Sequence, residues 1–186
     1  RALVTLYMAT FGVFISTIIG FTVGIISFQN KHTANFMLGV CDIFQTFPSF
    51  VYLIPVMMLF GVTDTSVLIA VIVYATIPAT RYTIEGLRSV PEALHDAATM
   101  SGVTKVQRLL KIEFPLAFPH MMLGLNQTIV FALFMVIIGA FIGTEDLGQY
   151  ILKALSDKKG AGIGLTLGLC VAFIGLIFDH LIRTWV

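Results

Sequence analysis

The sequence predicts an all-α, polytopic membrane protein, and its composition and the length of its apolar runs carry that prediction. Of the 186 residues, 58% are hydrophobic and 11% are charged. Soluble domains are typically about 45–50% apolar and about 25% charged. A soluble chain of this length could not bury so much apolar surface in one core, so most of that surface is expected to lie in lipid.

Five apolar runs are candidates for membrane-spanning helices. A bilayer core of about 30 Å requires about 20 residues at about 1.5 Å per residue. The runs cover residues 3–28, 35–60, 66–82, 114–142 and 162–182, of which the third is short. We therefore expect a five-transmembrane-helix core and a single domain over residues 1–186. Arg1 stands first in place of Met, which is compatible with truncation at the N-terminus.

Basic residues predict the orientation, because Lys and Arg favour the cytoplasmic side of a membrane. The third connection and its flank carry Arg81, Arg88, Lys105, Arg108 and Lys111. This cluster predicts a cytoplasmic region over about 83–113, with the N-terminus outside and the C-terminus inside. In the fourth connection, apolar residues at helical spacing predict a short interfacial helix over 147–155.

The chain carries no motif for nucleotide, metal or covalent chemistry. The glycine-rich run 160–168 lacks the Gly-Lys-Ser/Thr ending of a phosphate-binding loop, so close helix packing explains it better. Cys41 and Cys170 fit no metal or redox spacing, and the histidines share no ligand spacing. We therefore expect no catalytic residue, metal or bound cofactor; any ATP must be hydrolysed by another polypeptide. A lipid bilayer, and no nucleic acid, is expected among the partners.

Residues 83–113 form a polar island between two apolar runs. Ser89, Pro91 and Glu92 have the form of a capping box, in which the Ser89 hydroxyl accepts from the backbone N–H of Glu92. This pattern predicts a helix that begins after Ser89. From the residues alone, the island is either a docking surface for a partner or an amphipathic loop resting on the membrane.

The second half of the island predicts a turn and another helix. Gly102 is placed to end the first helix with a left-handed residue, and Thr104 to cap a second helix over 105–113. Pro115 then marks the entry into the fourth apolar run.

The spacing of the island resembles a known signature. It reads Asp96-Ala97-Ala98, three residues, Gly102, nine residues, Ile112, one residue and Phe114-Pro115. The permease subunits of type I ABC importers carry Glu-Ala-Ala, Gly, Ile and Leu-Pro at the same spacing. The departures, Asp96 for Glu and Phe114 for Leu, are conservative in chemistry.

The resemblance implies a fold, a location and partners. Such a permease has a five-helix core and lies in the bacterial cytoplasmic (inner) membrane. Its coupling helix docks into a groove of a separate ATPase subunit, and an extracytoplasmic binding protein supplies the substrate. A second permease copy, expected here as a homodimer, completes the path. The expected coupling residues are Ser89, Glu92, Asp96, Ala97, Ala98, Gly102, Ile112 and Pro115.

A second resemblance concerns the substrate. The second apolar run contains Gln45-Thr46-x-Pro48-x-Phe50-Val51-Tyr52-Leu53-x-Pro55, and the fourth contains Asn126-Gln127-Thr128. Both are similar to permeases for glycine betaine, proline and related methylated amines. The implied function is ATP-driven import of a compatible solute such as glycine betaine, proline, choline or trimethylamine oxide by alternating access. The alternatives are the same importer type carrying an amino acid or other small polar solute, and an ATP-independent channel or carrier.

Aromatic and amide side chains in the apolar runs are candidates for the substrate path. A quaternary ammonium has no N–H to donate, and aromatic faces attract it through cation–π interactions. The alternatives are ordinary packing or lipid contact for the aromatics, and interhelical hydrogen bonding for the amides. The candidates are Phe47, Phe50, Tyr52, Tyr74, Asn126 and Gln127.

Three further residues of the second run leave alternatives open. Asp42 could snorkel to the interface, pair with Arg81 or line an inner gate. Pro48 and Pro55 could each kink the run and free backbone carbonyls, or merely shape its packing.

Overall fold

The computed structural model describes residues 2–142 and 161–184, which form helices joined by short turns, with no strand among them. The helices in chain order are α1 Ala2–Phe28, α2 Lys31–Thr46, α3 Phe50–Phe60, α4 Asp64–Arg88, α5 Glu92–Met100, α6 Lys105–Arg108, a π-helical turn Leu109–Glu113, α7 Phe114–Ile142 and α8 Ala161–Thr184. The all-α prediction is confirmed.

Helix α4 packs against both α1 and α7, and its backbone approaches that of α1 closely. On α1, Ser16 donates its hydroxyl proton to the carbonyl of Ile72 at 3.1 Å. A Cβ atom added at Gly20 would lie 2.4 Å from the Cβ of Ala79, so no side chain fits there. The two helices therefore pack through a row of small residues spaced four apart. This row consists of Gly12, Ser16, Gly20 and Gly24.

Helix α4 packs against α7 in the same way, although here the glycines come from both helices. An added Cβ would lie 2.8 Å from His120 Cβ at Gly86, 2.6 Å from Tyr82 Cβ at Gly124 and 2.6 Å from Val67 Cγ2 at Gly139. Helix α4 thus packs closely against both neighbours and contributes the largest share of the buried residues among the described helices, including Val67, Ala70, Val71, Ala75 and Ala79.

The second apolar run differs from the prediction of one span over 35–60. It forms two helices, α2 and α3, bent by 85° at the break between them. Phe47, the last residue before Pro48, has the extended backbone that a following proline imposes, with φ −72° and ψ 135°. Pro48 therefore ends α2, whereas α3 continues through Pro55.

The helix count is compatible with the five predicted runs. Among the described residues, Leu6–Phe28, Asp64–Arg88 and Lys105–Gly139 are long and apolar enough to span a membrane, and the bent α2–α3 pair makes up to four. Helix α8 contributes a shorter apolar stretch, Gly164–Ile177. The third run is longer than predicted, since α4 continues to Arg88 and the polar island begins after it.

Two expectations for the last third of the chain had different outcomes. The interfacial helix predicted over 147–155 lies outside the described residues. In α8, a Cβ added at Gly162 or Gly168 would meet no atom within 4 Å. Close packing against the described residues 2–142 and 161–184 therefore does not account for these two glycines.

We predict that Gly20→Ala lowers the thermal midpoint of the purified protein. The added methyl would overlap Ala79, and overpacking costs about 1–3 kcal/mol, which exceeds the gain of up to about 1 kcal/mol from replacing a helical glycine. Gly39→Ala in α2 is the matched control, because nothing lies within 4 Å of its added Cβ. Equal midpoints for the two variants would contradict the proposed packing.

Candidate functional site

Helix α5 stands out from the bundle as an exposed surface element. Of its nine side chains, Ala98 is buried and His95 is half-buried, while the other seven are exposed. Asp96 and Ala97 therefore lie on an open face. Exposed apolar side chains continue this surface onto the following segment: Leu94 (39% exposed), Met100 (90%), Val106 (64%) and Leu110 (61%).

The end of α5 is a tight turn that requires glycine. Gly102 has a φ of +70°, in the left-handed region, which confirms the prediction. The N–H of Gly102 donates to the carbonyl of Thr99 at 3.1 Å, and the N–H of Val103 donates to that of Ala98 at 3.4 Å. These two bonds form a Schellman motif. Since nothing lies within 4 Å of an added Cβ, backbone conformation and not space demands glycine here.

The start of α5 corrects the predicted capping box. Ser89 follows the last residue of α4, and its hydroxyl donates to the carbonyl of Gly86 at 2.7 Å. Pro91 occupies the N-cap position of α5 without a side-chain cap. The prediction was wrong because α4 extends past residue 82, so that the Ser89 hydroxyl satisfies a carbonyl at the end of α4 instead of an N–H of α5.

The second predicted helix of the island is present with a change of geometry. Thr104 and Gln107 form a reciprocal capping box: Gln107 N–H donates to Thr104 Oγ1 at 3.3 Å, and Thr104 N–H donates to Gln107 Oε1 at 2.9 Å. The predicted cap at Thr104 is confirmed. After one α-helical turn, the segment 105–113 becomes the π-helical turn and runs directly into α7.

The predicted coupling residues fall into exposed and internal groups. Those exposed at the island end of the bundle are Ser89, Glu92, Asp96, Ala97, Gly102 and Pro115, while Ile112 is partly buried and Ala98 is buried. Beside α5 lies a groove lined by basic Lys31, Arg88 and Arg108 and by acidic Glu92 and Asp96. The exposed group and the groove together form a charged surface with apolar neighbours, which suits a protein partner.

One charged cluster at this end was missed in the sequence. Glu113 is buried, with 2% of its surface exposed. Its Oε1 atom lies 2.8 Å from Arg108 Nε and 3.1 Å from His95 Nδ1. The signal that could have revealed it is a single acidic residue between the apolar Ile112 and Phe114.

Four helices share a continuous row of aromatic rings, which we call the aromatic row. Ring centroids are separated by 5.7 Å for Phe44–Phe47, 6.2 Å for Phe44–Tyr52, 4.9 Å for Tyr52–Tyr74 and 4.7 Å for Tyr74–Phe131. Three of the predicted substrate-path residues, Phe47, Tyr52 and Tyr74, lie in this row. Phe131 of α7 completes the row and was not a candidate.

The remaining candidates, Phe50, Asn126 and Gln127, make none of the ring contacts that define the aromatic row. Phe50 is 45% exposed at the start of α3 and makes none of the ring contacts of the row. Asn126 and Gln127 are partly buried in α7, one turn before Phe131.

The bend that carries the aromatic row is closed by a tyrosine. Pro48 has no N–H, so it cannot donate to the carbonyl of Phe44 four residues earlier. The hydroxyl of Tyr52 donates to this carbonyl instead, and Phe47 N–H approaches it at 3.3 Å. The break at Pro48 and the position of Tyr52 are therefore parts of one arrangement.

The structure shows one of the three alternatives predicted for Asp42, the pairing with Arg81. Its carboxylate pairs with Arg81 of α4. Arg81 also donates to Gln45 Oε1 and Glu85 Oε1, each at 3.0 Å. This network links α2 to α4 by charge. Among the described residues, no group of three His, Cys, Asp or Glu side chains could hold a metal ion.

Comparison with known proteins places these features in a family context. Residues 12–184 match the family model described as "Binding-protein-dependent transport system inner membrane component". The chain is 46% identical, over 100% of its length, to the trimethylamine N-oxide transport system permease protein TmoV of Ruegeria pomeroyi, of which it covers 28%. It is 32% identical, over 95% of its length, to the glycine betaine transport system permease protein OpuAB of Bacillus subtilis, of which it covers 62%. The chain thus spans less than two thirds of either relative.

The fold is similar to that of a solved transporter structure. An inward-facing conformation of the MetNI methionine ABC transporter matches with a TM-score of 0.80, over 98% of this chain and 93% of that chain. At 19% sequence identity, this likeness concerns the fold alone.

We predict that Tyr52→Phe loosens the α2–α3 bend while leaving the bundle assembled. Loss of the hydroxyl removes a donor from the Phe44 carbonyl, and we expect a cost of about 1 kcal/mol because Phe47 N–H remains nearby. Hydrogen exchange at the first amides of α3 should accelerate. Tyr7→Phe, at a tyrosine that is 61% exposed, is the control. Unchanged exchange in α3 would rule out a role for this bond in holding the bend.

Proposed function

This chain belongs to the family of binding-protein-dependent transport system inner membrane components, and we propose that it is the membrane-spanning subunit of an ATP-driven importer for a small methylated amine. The observation that carries the proposal is α5: a short exposed helix, closed by Gly102, that joins two long apolar helices. An external ATPase that binds this exposed helix can displace the two membrane helices that it joins.

The coupling role is supported by how α5 is built. Its C-terminal turn is closed by the Schellman motif at Gly102, and the next segment begins with the Thr104–Gln107 capping box. Both devices hold the turn between the two segments stiff, so that a push on the face of Asp96 and Ala97 moves the helix as a unit. The proposed partner at this face is an ATP-binding cassette ATPase subunit, which would bind the ATP that this chain has no motif for.

The remaining partners follow from the family. We propose that an extracytoplasmic binding protein delivers the substrate and that a second copy of the permease completes the path. The proposed location is the bacterial cytoplasmic membrane, with the N-terminus outside, the C-terminus inside and α5 in the cytoplasm. The basic residues Lys31, Arg88 and Arg108 near α5 support this orientation.

The substrate class is supported by two independent lines. The two relatives named above are permeases for trimethylamine N-oxide and for glycine betaine. The aromatic row supplies ring faces that attract a methylated ammonium through cation–π interactions. The support for an amino-acid cargo is fold likeness, to a methionine transporter and to an amino acid ABC transporter.

We predict that Asp96→Lys or Gly102→Val leaves the protein inserted but abolishes ATP-driven uptake. The first reverses a charge on the exposed face of α5, and the second places a β-branched residue at a φ of +70°. The measurement is uptake of labelled trimethylamine N-oxide and glycine betaine by membrane vesicles that contain the permease with its ATPase and binding protein.

Asp96→Glu is the control for this experiment, because it keeps the carboxylate and should retain uptake. Normal uptake by the Asp96→Lys and Gly102→Val variants would refute the coupling role of α5. Uptake that survives removal of the ATPase would favour a channel or carrier instead.

We also predict that Phe131→Leu reduces uptake of methylated amines several-fold. Leucine keeps the apolar character of the site and removes the ring that stacks on Tyr74 at 4.7 Å. Phe134→Leu on the same helix is the matched control, since that ring is 56% exposed and lies outside the aromatic row. Equal uptake by both variants, at equal amounts of inserted protein, would exclude the aromatic row from the substrate path.

A further inference from the structure

Glu113 is a buried carboxylate at the entry to α7, and its burial requires an explanation. With 2% of its surface exposed, it lies almost wholly out of water. A buried charge costs several kcal/mol unless a partner compensates it. Its partners come from two directions: Arg108 lies on the preceding turn of the same segment, and His95 lies on α5.

The π-helical turn explains why Arg108 and Glu113 meet. Phe114 N–H donates to the carbonyl of Leu109, five residues earlier. The wider turn brings side chains five positions apart onto one side. The turn immediately precedes Pro115, whose ring would clash with the carbonyl of Lys111 in a regular α-helix. Widening the helix relieves this clash and at the same time places Glu113 over Arg108.

His95 gives α5 a side-chain contact with the membrane helices. Among the side chains of α5, Ala98 alone is buried, and the helix is otherwise connected through the turns at its two ends. The Nδ1 atom of His95 lies 3.1 Å from Glu113 Oε1. A movement of α5 therefore reaches the first turn of α7 across this contact as well as along the chain.

The cluster is held by charge more than by aligned hydrogen bonds. Arg108 Nε and Glu113 Oε1 are 2.8 Å apart, yet neither atom makes a hydrogen bond of good geometry. Charge attraction depends on distance and only weakly on direction. Glu113 Oε1 makes no hydrogen bond of good geometry to His95 either, so their contact leaves α5 free to rotate by a small angle.

We propose that Glu113 is a positioning residue which, through His95, transmits displacement of α5 to α7. This proposal rests on the proposed function, since the displacement comes from the ATPase. The consequence is a direct route from the docking face to the helix that carries Phe131 and packs on α4. Neither Glu113 nor His95 needs to touch the ATPase or the substrate for this role.

The test compares variants of the whole permease–ATPase complex in lipid nanodiscs by hydrogen exchange, with and without ATP. In the unmodified complex, ATP should change exchange in both α5 and the first turns of α7, residues 116–124. With His95→Ala, the change in α5 exchange should persist and the change in α7 exchange should be several-fold smaller, because the route through Glu113 is lost while the route along the chain remains. This variant keeps the Arg108–Glu113 pair, so no buried charge is left alone.

Two further variants sharpen the reading. His95→Gln keeps a side-chain N–H that can donate to Glu113, and it should restore part of the α7 response. His32→Ala, at an exposed histidine of α2, should behave like the unmodified protein. A full α7 response in His95→Ala, or an equal loss of response in α5 and α7, would overturn the proposal.

A measurement without ATP separates this proposal from the proposed function. If His95 and Glu113 act as a pair, His95→Ala and Glu113→Gln should each speed exchange in α5, and the double variant should be no faster than the faster single variant. Unchanged α5 exchange in His95→Ala would refute the contact itself. If ATP changes no exchange in the unmodified complex, the ATP-driven function is refuted. The measurement without ATP still decides whether His95 and Glu113 are in contact.

Discussion

Close backbone approach between α4 and its two neighbours is the constraint on which the other features depend. In lipid, apolar side chains gain little by leaving hydrocarbon for one another, so helices associate through shape and interhelical polar contacts. Gly20 and Gly24 of α1 leave no room for a Cβ against α4, and Gly124 leaves none against Tyr82. Because α4 packs closely against both α1 and α7, Tyr74 and Arg81 have fixed positions from which to contact α2, α3 and α7.

Two prolines shape the functional regions, and the chain compensates each in a different way. At Pro48 the helix breaks, and the hydroxyl of Tyr52 supplies the donor that the Phe44 carbonyl has lost. At Pro115 the helix continues, because a π-helical turn before it relieves the clash with the preceding turn. The first solution brings aromatic rings together, and the second brings a buried acid beside Arg108. In both cases the irregularity is local and lies at a proposed functional region.

Features that depend on neighbours in the sequence could be predicted, and those that depend on packing could not. Gly102 and Thr104 act within one turn of their own positions, so their roles were visible in the sequence. The Ser89 hydroxyl could accept from the Glu92 N–H or donate to the Gly86 carbonyl. The length of α4 decides between them, and the hydroxyl donates to Gly86. Pro48 and Pro55 lie in the same apolar run of the sequence, where either could kink a helix. In the structure, α2 ends before Pro48, whereas α3 continues through Pro55.

The buried Glu113 illustrates why the site at the island end was only partly foreseen. In sequence it belongs to a segment whose charged neighbours, Lys105, Arg108 and Lys111, suggest an ordinary solvated face. A regular α-helix would place Arg108 and Glu113 on different sides, so helical spacing hides the pair. The π-helical turn changes the spacing and joins them, and the fold then brings His95 from α5 to the same oxygen. A lightly packed helix that is stiff within itself can move as a body and act on α7 both through the His95–Glu113 contact and along the chain. The same helix buried in the bundle could not reach a partner, and without the contact it would act on α7 only along the chain.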